Sequence, residues 1–172
     1  MSKAPAIIVD RDGTLASVAH VAPTTRDRDA WREYNAALPF DAPVPNVVNM
    51  LNWARRTLPD VTIIMTSGRA AGDFPGDIRR KRHMEGWIAK HRLPIDVLHM
   101  REGGDQRRDS IVKAEMFHSF IADKFDVLLV IDDRPQVCDL WRDLGLPLIQ
   151  VKDPGILPPI AEMSRQAATV AL

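Results

Sequence analysis

Cysteine is nearly missing from this chain: Cys138 stands alone, so no intramolecular disulfide can form and a reducing, cytoplasmic setting fits. It follows an apolar position and reads as a core or helix residue. Long apolar runs are missing too. The stretch from Ala6 to Val9 stops at Asp10, too short for a signal peptide or a membrane span, so no membrane partner is expected. Net charge is absent, with 23 basic residues against 23 acidic ones, so global charge argues for no polyanionic partner. No repeat of about 20 to 50 residues is visible. The basic residues are skewed, 17 Arg against 6 Lys. Arginine is the better fork for phosphate, but a coding bias gives the same skew, so positions must decide.

What is present suffices for one soluble, globular domain. The 172 residues are 45% apolar and 27% charged, enough for a full core and one small insertion. Ala6 to Val9 predicts a buried strand, because the run is β-branched and does not alternate. Residues 17–43 have no strong periodicity and hold an aromatic patch of Trp31, Tyr34 and Phe40; they predict an irregular lid. Pro45 opens a helical pattern. Val61 to Met65 predicts a second strand, 78–91 a helix, 95–98 a third strand and 110–124 a helix. Val127 to Ile131 predicts a fourth strand, 136–144 a helix and 146–151 a fifth strand. Strands alternating with helices imply an α/β fold with a parallel sheet and crossover helices. Residues 153–172 read as a loosely packed C-terminal tail, leaving 1–152 as the folded domain.

Three of the strands end in polar clusters: Asp10-Arg11-Asp12-Gly13-Thr14, Thr66-Ser67-Gly68-Arg69 and Asp132-Asp133-Arg134. Ligands of open parallel sheets bind beyond the carboxyl ends of the strands, so the clusters converge on one edge. Asp10 and Asp12, two residues apart, can point to one side, with Gly13 turning the chain. By itself an Asp-Gly at a strand end is as often a plain turn. Carboxylates at Asp10, Asp12, Asp132 and Asp133 repel one another without a cation, and magnesium suits such hard oxygens. Asp132-Asp133 can instead cap the helix that Pro135 starts; both readings can hold together. Asp10 can act as a carboxylate nucleophile toward phosphorus and a second carboxyl can protonate the leaving oxygen. Ser67 can donate to a phosphoryl oxygen and Arg69 can clamp it. Lys113 can offset charge near Asp10, and Asp109, four residues earlier on the same helix face, can hold it in place.

In order, Asp10-x-Asp12-Gly13-Thr14, Ser67, Lys113 and Asp132-Asp133 resemble the four motifs of the haloacid dehalogenase superfamily of phosphohydrolases, over about residues 6–152. Ser67-Gly68-Arg69, Met100-Arg101-Glu102, Arg107-Arg108-Asp109, Lys113 and Asp132-Asp133-Arg134 are more narrowly similar to the 3′-phosphatase domain of bacteriophage polynucleotide kinase/phosphatases. The resemblance implies a three-layer α/β/α Rossmann-like fold, with a central parallel sheet and a small lid inserted after the first strand. It implies that Asp10 is the nucleophile and Asp12 the general acid/base, with Ser67 and Lys113 holding the phosphoryl group. Magnesium would be held by Asp10, the Asp12 carbonyl and Asp132, with Asp133 in or near its surroundings. Thr14, Arg69, Arg101, Asp109 and Arg134 would serve substrate binding.

The implied substrate is a 3′-phosphate, or a 2′,3′-cyclic phosphate, on a DNA or RNA end. Two departures stand out. No Gly-x-x-x-x-Gly-Lys-Ser/Thr loop exists in this sequence, so no kinase half is present in it, and Ala70 replaces the acid that usually follows Arg69 in the phage enzymes. Arg26, Arg28, Arg32 and the aromatics of 17–43 either form a wall for a nucleic-acid end or a purely structural lid. A 3′-nucleotide or other small-molecule phosphatase, and an inactive end-binding module, are the alternative readings.

Overall fold

Strand β1 (Ala4–Asp10) runs through the middle of the molecule because both of its faces are apolar. The computed structural model describes residues 3–17 and 28–151. After β1 come β2 (Ala16–Ser17), α1 (Arg28–Ala36), β3 (Ala42–Pro43), α2 (Pro45–Thr57), β4 (Thr62–Ala70) and α3 (Arg79–Lys90). Then follow β5 (Val97–Arg101), α4 (Asp109–Met116), β6 (Phe125–Asp132), α5 (Pro135–Asp143) and β7 (Leu148–Gln150). Five strands form one parallel sheet in the order β5-β4-β1-β6-β7.

Successive β1 residues point to opposite faces, and the core divides accordingly. Ile7 and Val9 join Val47, Leu51, Met84 and Trp87, which α2 and α3 lay over one face. Ala6 and Ile8 join Phe117, Ile121, Val137 and Trp141 on the other, beneath α4, the turn after it and α5. Covering both faces of a parallel sheet requires continuous apolar strands, which is why β1, β4 and β6 do not alternate. The result is the expected α/β/α sandwich.

Beyond shifts of one to three residues at other element ends, such as β5 at Val97–Arg101 where 95–98 was expected, three elements differ from their sequence-based expectation. The 17–43 segment is not irregular throughout: it contains α1, a 3₁₀ turn at Leu38–Phe40, and β3 paired antiparallel with β2. Helix α1 escapes a periodicity search because its described core-facing residue is Tyr34 alone, one turn after the exposed Trp31. The helix expected over 110–124 gives way after Met116 to a π turn at Phe117–Ile121, in which the Ala122 N–H donates to the Phe117 carbonyl. That wider turn buries Phe117 and Ile121 against the sheet. Strand β4 outlasts its apolar run, because its polar tip still pairs with β5 as far as Ala70, across a register shift after Ser67. The expected tail, 153–172, lies outside the described residues. Among those residues, no helix is long and apolar enough to cross a membrane.

Candidate active site

Register alone brings the first two acids together. Val9 lies level with Ile131 on the neighbouring strand, so the next residues, Asp10 and Asp132, leave the sheet side by side. Oxygens of Asp10, Asp132 and Asp133 all lie within 4.8 Å of one another. Lys113, buried in α4, donates to Asp10 Oδ1 at 2.5 Å and to Asp132 Oδ2 at 2.7 Å. Trp141 Nε1 also donates to Asp132 Oδ2, at 3.2 Å, and the Arg134 backbone N–H reaches Asp132 Oδ1 at 3.3 Å. Asp132 is therefore rigidly held from three sides.

One lysine does not neutralise three carboxylates. Burial raises the pKa of Asp10 well above the usual carboxylate range; Lys113 opposes this, while Asp132, Asp133 and Asp12 add to it. Burial and then Asp132 push Asp133 up to about 6. Lys113 moves the other way from what burial demands, since Asp10 and Asp132 hold its proton more tightly than usual. Burial raises the nearby Cys138 thiol to about 11, so it stays protonated beside the Asp132 carbonyl. The donor set is all hard oxygen and carries excess negative charge, which fits a small divalent cation.

Gly13 makes this cluster possible. Its φ is +81°, and a Cβ there would lie 2.4 Å from Asp133 Oδ2. Thr14, fully buried, places its hydroxyl 3.5 Å from Asp133 Oδ1. Ser67 lies buried one residue beyond Thr66, the β4 partner of Asp10, and its Oγ accepts the Arg69 N–H at 3.2 Å.

Asp12 turns its carboxylate elsewhere. Arg11 Nη1 donates to Oδ1 at 2.5 Å and Arg69 Nε to Oδ2 at 2.8 Å. Burial raises the pKa of Asp12, but Arg69 and Arg11 outweigh it and hold the group below its ordinary value. Arg69 lies 3.9 Å over the Tyr34 ring and donates to the Tyr34 carbonyl, tying α1 to the sheet edge.

Asp109 does not hold Lys113, contrary to what i,i+4 spacing suggests. Its carboxylate lies between the guanidiniums of Arg101 and Arg134 and against Gly68, where a Cβ would come within 2.7 Å. Lys113 is already engaged by two deeply buried acids, whereas the first residue of α4 faces the arginine-bearing rim. Arg101 also donates to the Gly68, Asp105 and Arg107 carbonyls, so it braces the loop that leads into α4.

Sequence reasoning missed Arg11, Asp41 and Trp87, which line the far side of Asp12. Arg11 carried a signal, since it stands between two functional aspartates; Asp41, inside a segment read as irregular, carried none. Of the expected wall, Arg26 and the Arg28 side chain lie outside the described residues, and Arg32 is exposed 3.6 Å from Asp29. Trp31 stands edge-on to Tyr34 at 5.7 Å and is 40% exposed.

Known proteins share this arrangement of elements. The chain is 34% identical to a chain in a structure of a Pnkp1/Rnl/Hen1 complex, with a TM-score of 0.69, over 87% of this chain and 46% of that one. It is 27% identical to a protein of Autographa californica nuclear polyhedrosis virus named as a candidate bifunctional polynucleotide kinase/RNA ligase, over 84% of this chain and 19% of the viral protein. It thus spans less than half the length of either relative. A haloacid dehalogenase-like hydrolase from Streptococcus pneumoniae, at 13% identity over 84% of this chain and 83% of that one, shares the fold with a TM-score of 0.52. The family model of the polynucleotide kinase PNKP phosphatase domain matches residues 4–155. The chain belongs to this phosphatase-domain family, built on the haloacid dehalogenase fold.

Proposed function

We propose that this protein is a magnesium-dependent polynucleotide 3′-phosphatase working through an aspartyl-phosphate, with residues 1–152 as the phosphatase unit. The observation that carries the reading is Lys113 bridging Asp10 and Asp132 at the strand ends of a polynucleotide phosphatase-domain fold. Asp10 attacks the phosphorus, the bond to the 3′-oxygen breaks, and Asp12 gives that oxygen its proton. Asp12 then takes a proton from the water that cleaves the acyl phosphate. In its present pairing Asp12 is the ionised base; Arg69 turning from Oδ2 to the phosphoryl group would free it for the acid step. Lys113 and Ser67 hold phosphoryl oxygens, Thr14 steadies Asp133, and Arg101, Asp109 and Arg134 shape the rim.

Magnesium, held by Asp10, Asp132 and the Asp12 carbonyl beside Asp133, would supply positive charge to the phosphoryl oxygens. Trp31, two ring contacts from Arg69, offers a stacking surface to a terminal base. The viral relative is named for RNA ligation, which favours RNA ends as substrate. The test is turnover of matched 3′-phosphorylated RNA and DNA oligonucleotides, and of 3′-mononucleotides, with magnesium and with chelator. Magnesium-dependent release of phosphate from the oligonucleotides is expected. Equal or better turnover of the mononucleotide would reassign the protein to small-molecule substrates, and end binding without turnover would make it a binding module.

A further inference from the structure

Behind Asp12 lies a buried knot of charge that the phosphatase chemistry leaves unexplained. Arg11 is fully buried and has two hands. Nη1 holds Asp12 Oδ1. Nη2 reaches the lid, donating to the Leu38 carbonyl at 2.9 Å and to Asp41 Oδ2 at 2.9 Å. Its guanidinium lies 4.6 Å over the Trp87 ring, and Trp87 Nε1 in turn donates to the Asp41 carbonyl at 2.8 Å. Arg69 approaches from the other side. Its Nη2 is buried, has no hydrogen-bond partner among the described residues, and lies 3.8 Å from Asp41 Oδ2. Asp41 is thus the second anion facing both arginines that grip Asp12.

A guanidinium is a rigid planar fork. With Nη2 fixed by Leu38 and Asp41 and the plane fixed on Trp87, Nη1 has a single position to offer, and Asp12 Oδ1 is set by it. Without Asp41, two buried cations share one carboxylate, and nothing keeps Arg11 from shifting onto Asp12. Breaking a buried charge set on one side leaves the remaining charges to rearrange. A displacement of about 1 Å in a catalytic group costs on the order of 100-fold in rate.

We propose that Asp41 is a positioning residue, which through Arg11 fixes the Asp12 carboxylate relative to Asp10 and so couples the lid to the proton-transfer step. The inference rests on the reading of Asp12 as acid/base. Its test exploits the leaving group. A 3′-oxygen needs a proton on departure, whereas p-nitrophenolate leaves without one. Asp41→Asn and Arg11→Lys are each compared with wild type in two measurements: single-turnover release of the 3′-hydroxyl from a phosphorylated oligonucleotide, and the burst of p-nitrophenolate that reports phosphorylation of Asp10.

Expected is about a 100-fold loss on the oligonucleotide, with the burst rate within about threefold of wild type. Equal losses on both substrates, or none on either, overturn the proposal. Should Asp41→Asn melt below the assay temperature, Arg11→Lys, which keeps the charge but not the fork, decides by the same split. Wild-type protein that leaves 3′-phosphates intact overturns the phosphatase reading and this inference with it; active wild type with equal losses overturns the inference alone.

Discussion

Asp133 keeps its proton up to about pH 6 in the metal-free protein, because burial and Asp132 both disfavour its charge. The raised value means that the folded state binds this proton more tightly than the unfolded chain. Its contribution to metal-free stability is therefore complete in acid and is lost as pH rises through about 6. Cation binding pulls the other way, since a divalent ion needs the ionised oxygens. Magnesium affinity should fall about tenfold from pH 7 to pH 5 on this group alone. Calorimetric titration at the two values checks it, and a flat affinity would place Asp133 outside the metal's surroundings. Asp10→Asn should leave the fold intact and lower phosphatase turnover by at least about 1,000-fold. A circular dichroism spectrum beside an activity assay separates chemistry from misfolding. The aspartates of this cluster were legible as residues, because carboxylates ending apolar strands stand out. The partner of Asp109 was not, because i,i+4 spacing says who can meet on a helix and nothing about arginines arriving from β5 and from the loop after β6.

At the scale of elements, the turn after β1 must do two things at once: reverse the chain and admit the Asp133 carboxylate. Gly13→Ala places a Cβ at positive φ and 2.4 Å from Asp133 Oδ2. The backbone conformation alone costs about 1–2 kcal/mol. The melting temperature should drop by roughly 2–8 °C, and magnesium should protect the variant less than wild type; an unchanged magnesium shift would mean that Asp133 had not moved. Helix α1 carries a different expectation. Trp31→Ala should raise KM for 3′-phosphorylated oligonucleotides about tenfold, the worth of one stacked base. Turnover of glycerol phosphate, which has no ring, is the control, and an unchanged KM for the oligonucleotide would leave α1 a structural cover. Most elements were readable from apolar runs and proline or glycine punctuation. Helix α1 and the π turn were not, since one is mostly polar and the other depends on which residues the sheet below will accept.

Over the whole molecule, basic and acidic residues balance, so the proposed function predicts that a polynucleotide end is attracted locally, by the few arginines at the strand ends. Salt should then act weakly. The slope of log kcat/KM against log salt should lie near −1 to −2, at about −0.7 per phosphate engaged on a single strand. Rates on an oligonucleotide measured from about 50 to 200 mM salt would show it, and a much steeper slope would mean a basic track beyond the site. The sequence by itself determined the parallel sheet, because apolar strands without alternation must be covered on both faces. It also determined that Asp10, Ser67 and Asp132 share one edge, because they end strands that run the same way. Only the tertiary structure decided what lies behind Asp12. Arg11 and Asp41 are 30 positions apart in different elements, and pairing of buried charges depends on which side chains the packing shuts away from water together. The pair of aspartates two residues apart was visible from the start; that one faces the carboxylate cluster while the other is held by two arginines is a property of the fold.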